Sequence, residues 1–174
     1  MITCHIRHAL SLLLLVAIPA YAQHPQSTIP GVTKELYESV SRRPNGSFDW
    51  ARFRRIMAPD ATIRPQIRLT DSTDRVMSPD IFVTWIDSIW KNTIGTPRDR
   101  GFFERETNIV IEQYGDVAHA FSTYAKGPDT PREVIWHGIN SIQFVRRKGL
   151  WYISAITWDE ENVSGPLPPK YKGK

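Results

Sequence analysis

The chain has 174 residues, 41% of them hydrophobic and 23% charged, with a formal charge of +4. Six Trp, six Tyr and seven Phe exclude a wholly disordered chain, and ten Gly with thirteen Pro but no period exclude collagen. The basic residues are scattered over Arg42-Arg43, Arg54-Arg55 and Arg146-Arg147-Lys148 instead of forming one stripe with interleaved aromatics, so nucleic acid is not an expected partner.

Taken in order, residues 1–22 read as an export signal. A basic start with Arg7 is followed by a short apolar run over residues 9–18 and the small-residue end Ala20-Tyr21-Ala22. The run is too short to span a bilayer comfortably, so no membrane partner is expected once the signal is removed. The expected destination is the periplasm or the extracellular space. Cys4, the single cysteine, leaves with the signal, so neither a disulfide nor a thiolate metal site is expected in the mature chain.

Residues 23–30 read as a flexible lead-in. Leu36, Tyr37 and Val40 predict a helix over residues 33–41, closed by the turn signal Pro44-Asn45-Gly46. Ser47 is a candidate cap for a second helix carrying Trp50, Phe53 and Met57 on one face, with Pro59 as its stop. Residues 61–69 read as extended and residues 70–74 as a loop. A third helix follows from the Ser78 cap, Pro79 at the first helical position and Asp80 at the positive helix start. Its stripe is Phe82, Trp85, Ile86, Ile89 and Trp90, and Gly95 and Pro97 end it.

From Gly101 the period becomes strand-like. Residues 102–113, 117–126, 133–147 and 150–159 are rich in β-branched and aromatic residues, with turn residues at Tyr114-Gly115-Asp116 and Arg147-Lys148-Gly149. Three helices before an antiparallel meander predict an α+β domain over residues 31–164, its helices on one face of a curved sheet. Residues 165–174, rich in Pro and Lys, read as an extended tail.

These segments are similar to the nuclear-transport-factor-2-like, or SnoaL-like, superfamily. The residues that carry the likeness are Phe48-Asp49-Trp50-Ala51-Arg52-Phe53, Met57-Ala58-Pro59-Asp60-Ala61-Thr62, Phe103-Glu104-Arg105-Glu106, the run from Tyr114 to Tyr124, Gly138-Ile139-Asn140-Ser141-Ile142-Gln143-Phe144, and Gly149 through Glu161. The resemblance implies a cone: a strongly bent antiparallel sheet wrapped around three N-terminal helices, with a central pocket at the wide end. It also implies frequent pairing of two copies through the sheet. The superfamily holds isomerases, dehydratases, adaptors and exported members of unassigned activity, and this chain looks like the last group. Fold alone therefore does not fix the function.

Turn arithmetic nominates the polar candidates. A three-residue loop at Arg147-Lys148-Gly149 sets His137 opposite Asp159, either an acid–base pair or an ion pair at a sheet end. A three-residue loop at Gln113-Tyr114-Gly115 sets Glu104 beside Tyr124, Glu106 beside Ser122, Thr107 beside Phe121 and Ile109 beside His119. Glu104 with Tyr124 is either an acid–base set or a satisfied hydrogen bond. Trp50, Phe53 and Trp85, with His119, Asn140 and Gln143, are the candidate ligand contacts. Asp60 reads as a turn or strand-entry residue.

With His24, His119 and His137 as the histidines of the mature chain, no metal spacing is present, and no cofactor motif appears. The leading expectation is an exported protein that binds a small, mostly apolar molecule in the cone pocket. The alternatives are an isomerase or dehydratase using His137–Asp159 or Glu104–Tyr124, and a protein-binding adaptor acting through the sheet face.

Overall fold

The computed structural model describes residues 24–65 and 75–173. The export signal and the loop expected over residues 70–74 lie outside the described residues. No helix among the described residues is long and apolar enough to cross a membrane.

A short 3-10 turn, Pro25–Ser27, leads into α1, Ile29–Ser39. The helix begins earlier than the apolar spacing predicts because Thr28 caps it, accepting a hydrogen bond from the Gly31 N–H at 3.1 Å, with Pro30 in the first turn. The segment expected to be a flexible lead-in therefore carries regular structure, and Gln26 is buried with its Nε2 donating to the Trp151 carbonyl. The cap of α2, Trp50–Ile56, is Asp49 rather than Ser47, its Oδ1 accepting from the Arg52 N–H. Strand β1, Met57–Pro65, follows at once, so the chain leaves the helix before Pro59. Pro59, without an N–H, sits where the β1 register shifts, between Met57 and Thr62. Helix α3, Pro79–Trp90, has the predicted Ser78 cap.

The meander then runs β2 (Phe103–Tyr114), β3 (Val117–Gly127), β4 (Trp136–Arg147) and β5 (Leu150–Glu160). These four strands pair antiparallel, and β1 adds to β5 in parallel, giving the order β1-β5-β4-β3-β2. The result is an α+β cone, a curved and unclosed sheet around the three N-terminal helices. Register shifts between Glu106 and Asn108 in β2 and between Gln143 and Phe144 against β5 supply the local bends that curl a sheet.

Both hairpin turns are tighter than the sequence arithmetic assumed. Lys148 and Gly149 alone close β4–β5, both at positive φ, and Gly115-Asp116 close β2–β3 with Gly115 at φ 58°. The registers move accordingly. Asp159 lies opposite Ile139, not His137, and Glu104 lies opposite Lys126, with Tyr124 facing Glu106. The bulge at Thr107 then places Ile109 opposite Ser122, Val110 opposite Phe121 and Glu112 opposite His119.

The inner face packs Ile63, Ala120, Ile142, Phe144 and Ile153 against Val32 and Leu36 of α1 and Phe53 and Ile56 of α2, all buried. On the outer face, the tail after the short helix α4, Glu161–Ser164, is docked rather than extended away. Tyr171 is buried against Phe121, ring centroids 4.9 Å apart, and its carbonyl accepts from Thr123 Oγ1 at 2.8 Å.

Candidate ligand-binding cavity

Between the helices and the inner face of the sheet lies a hollow of about 310 Å³. Every residue of the apolar stripe predicted for α3 (Phe82, Trp85, Ile86, Ile89 and Trp90) lines it. A helix whose stripe outruns the core it covers must leave part of that stripe facing open space, and here the space is the cavity. Trp50 and Phe53 of α2, Phe48 and Phe102 from the loops, and Trp158 of β5 complete the aromatic wall. The rings interlock: Phe53 stacks on Phe82 at 5.3 Å, Phe48 on Trp50 at 4.8 Å, and Trp158 meets Phe82 edge-on at 6.1 Å. Trp50 Nε1 donates to Asp87 Oδ1 at 2.8 Å, tying α2 to α3.

Two assemblies of charge border this wall. In the first, Arg42 and Asp99 form an ion pair whose side chains are 0% exposed, with Nη2 to Oδ1 at 2.8 Å and Nη1 to Oδ2 at 3.0 Å. Asp99 also accepts from the backbone N–H groups of Asn45, Gly95 and Gly101. These donors, the Arg42 guanidinium foremost, hold its carboxyl well below the usual carboxylate range. The Arg42 guanidinium lies over Trp90 at 4.6 Å and Phe48 at 5.5 Å, and so fixes two rings of the cavity wall.

The second assembly is the polar end of the cavity itself: Glu104, Tyr124, Lys126, Asn140 and Glu160. Glu160 pairs with Lys126 and accepts from the Tyr124 hydroxyl at 3.2 Å. Tyr124 is buried, and desolvation with the neighbouring Glu104 and Glu160 charges pushes its phenol far above the ordinary value. Its hydroxyl sits over Gly138, where an added Cβ would lie 2.4 Å from the oxygen. Asn140 Nδ2 donates to the Tyr37 hydroxyl at 3.0 Å, which is 2.6 Å from Ser122 Oγ, and Ser122 Oγ donates to Glu106 Oε2 at 2.7 Å.

Glu104 is the exception among these groups. Its backbone is held on both sides by Ser41 Oγ, yet no side chain among the described residues donates a hydrogen bond to its carboxyl. Desolvation raises that carboxyl from 4.5 to about 7, against the opposing pull of Lys126.

Of the sequence candidates, Trp50, Phe53, Trp85, Asn140, Glu104 and Tyr124 all line the cavity. The register shift of two residues keeps Glu104 and Tyr124 on the inner face, as diagonal rather than direct neighbours. The structure does not bring His137 and Asp159 together. His137 Nδ1 is 3.3 Å from Glu161, and Asp159 accepts from the Glu160 N–H and from Ser164 Oγ. His119 and Gln143 point to the outer face. His119 Nε2 is 3.0 Å from Ser141 Oγ and its ring meets Phe121, while Gln143 is exposed. Asp60 is exposed in β1, 3.5 Å from Arg147. Lys126, Glu160 and the Arg42–Asp99 pair escape sequence reasoning because their partners lie 34 and 57 residues away in the chain. Among the described residues no three His, Cys, Asp or Glu side chains group as a metal site would require.

The sequence matches no protein-family model and no curated protein. Solved structures do resemble it. A protein of unknown function with a cystatin-like fold from Nostoc punctiforme superposes with TM-score 0.57 at 12% identity, over 80% of this chain and 90% of the other. A hexachlorocyclohexane dehydrochlorinase, LinA-type3, from Novosphingobium barchaimii gives 0.50 at 15% identity, over 74% and 81%. An NTF2-like protein of unknown function from Pseudomonas putida gives 0.50 at 13% identity, over 72% and 80%. At such identities the likeness concerns the backbone alone, and with the element order above it shows that this chain has the nuclear-transport-factor-2-like fold.

Proposed function

We propose that the protein binds a small, mostly apolar molecule in the cone cavity. The observation that carries this reading is the aromatic wall around an open hollow of about 310 Å³ whose polar end holds a few buried or half-buried polar groups. That is the composition of small-molecule sites: apolar surface for affinity, a few polar atoms for orientation. The dehydrochlorinase of the same fold is named for a small apolar ring compound, which agrees with the reading. A thermal-shift screen of apolar ring compounds tests it. Ligands that bind raise the melting midpoint with concentration. Ile86→Trp, which fills the hollow, is expected to abolish the shift, and no shift from any compound in a broad panel overturns the reading.

One observation favours a second reading, proton-transfer chemistry of the isomerase or dehydratase kind. Glu104 faces the cavity with its carboxyl near 7, where a general base works best at neutral pH. Tyr124, engaged with Glu160, would then steady that neighbouring carboxylate rather than donate to substrate. Deuterium uptake at the carbon beside the carbonyl of a bound cyclic ketone would reveal such a base. The expected loss with Glu104→Gln is at least about a hundredfold, and an unchanged rate excludes Glu104.

A further inference from the structure

The charges that face the cavity do not cancel. Glu160 is matched by Lys126, and Asp99 by Arg42 behind the aromatic wall. On α1, Lys34 is matched by Glu38 at 2.8 Å, in the groove on the other side of Glu104. Tyr124 and Tyr37 are held neutral by burial, and Glu106 is directed to Ser122. Among the described groups that line the cavity, ionised Glu104 therefore leaves one negative charge in excess at the polar end, and no described side chain donates a hydrogen bond to it. The same cavity is lined by Trp50, Trp85, Trp90 and Trp158. A carboxylate without a donor and a wall rich in indole rings have one ligand feature in common, since both attract a positive charge.

We propose that the cavity selects, among small apolar molecules, those that carry a single basic nitrogen, with the Glu104 carboxylate holding the ammonium group. This inference rests on the reading of the cavity as a binding site. It adds the charge of the ligand and the residue that reads it. A dicationic ligand is disfavoured, because the second charge would find only Lys126 and the already paired Glu160. An anionic ligand is excluded by the same excess. The carboxyl of Glu104 ionises as pH rises through about 7, while an aliphatic ammonium keeps its proton to well above that. Affinity for the amine must therefore climb between mildly acidic and mildly alkaline pH, and far more steeply than affinity for a neutral molecule of the same shape.

The experiment is calorimetric titration of the whole protein with three probes of one shape: naphthylmethylamine, naphthylmethanol and naphthoate. At about pH 8 the amine is expected to bind roughly tenfold or more tighter than the alcohol, because it meets the carboxylate as a cation and the alcohol meets it as a neutral donor, with naphthoate weakest. At about pH 5.5, below the Glu104 value, the amine and the alcohol should converge. Glu104→Gln should erase both the preference for the amine over the alcohol and its pH dependence. Equal binding of amine and alcohol at both pH values overturns the inference while leaving the cavity reading intact. A preference for the amine that survives Glu104→Gln overturns it too. Binding of none of the three overturns both. The comparison of two pH values on the unaltered protein decides the matter even if the variant fails to fold.

Discussion

Asp99, behind the aromatic wall of the cavity, and Glu104, in its lining, are two carboxylates whose surroundings are opposite. Asp99 accepts four hydrogen bonds, from Arg42 Nη1 and three backbone N–H groups, and Arg42 Nη2 adds a close ion-pair contact. The carboxyl of Glu104 has none among the described residues. A buried charge that the fold surrounds with partners is part of the architecture, and removing it strands those partners. A charge that the fold leaves bare destabilises the folded state and is open to a group from outside. The pair separates structure from site more sharply than burial does.

The largest expected effect falls on Asp99. Asp99→Ala leaves the Arg42 guanidinium buried and uncompensated, and a loss of about 3–5 kcal/mol is expected in chemical denaturation. A loss below about 1 kcal/mol would show that the two sites do not differ in the way described.

Glu104 should show the opposite sign. Its folded value of about 7 exceeds the ordinary 4.5, so the folded state binds more protons between those values, and stability falls as pH rises through that window. Glu104→Gln should be flat there. It should exceed the parent at about pH 8 by roughly 2–3 kcal/mol, read as the difference between two urea curves. Asp99, with its carboxyl depressed, contributes stability that is present above its ordinary 3.8 and lost as pH falls below it. Identical pH dependence of parent and Glu104→Gln between about pH 5 and 8 would break the comparison.

The smallest effect is expected at Tyr124. Tyr124→Phe keeps the ring and removes one donor to Glu160, which retains Lys126. About 1 kcal/mol should be lost, with little change in the pH dependence. A loss as large as that for Asp99 would place the phenol among the structural groups.

How far the sequence reveals this follows from the range of each interaction. The stripe on α3 is a local, periodic signal, and the residues it marks as one apolar face are the ones that line the cavity. The four long strands are legible for the same reason, but the face that lines the cavity is not: Glu104, Tyr124 and Asn140 face inward, while His119 and Gln143, nominated on the same footing, face out. Register is not legible, because one residue of turn length moves every pair beyond it. Two-residue turns in place of three-residue ones, with the bulge at Thr107, are enough to separate His137 from Asp159 and to set Glu104 against Lys126. The parallel addition of β1 to β5 and the Arg42–Asp99 pair depend on residues far apart in the chain, and no local pattern announces either.

The seating of Tyr171 on the outer face has a consequence for everything that approaches from that direction. Pro169–Tyr171 lie across Asn108, Phe121 and Thr123, so the strands there are already occupied by their own chain. A visitor to the convex side must either dock beside this strap or peel it away, which would uncover the aromatic ring of Phe121. Removing the last few residues is thus a means of changing what the convex side presents to its surroundings while the hollow on the concave side keeps its lining.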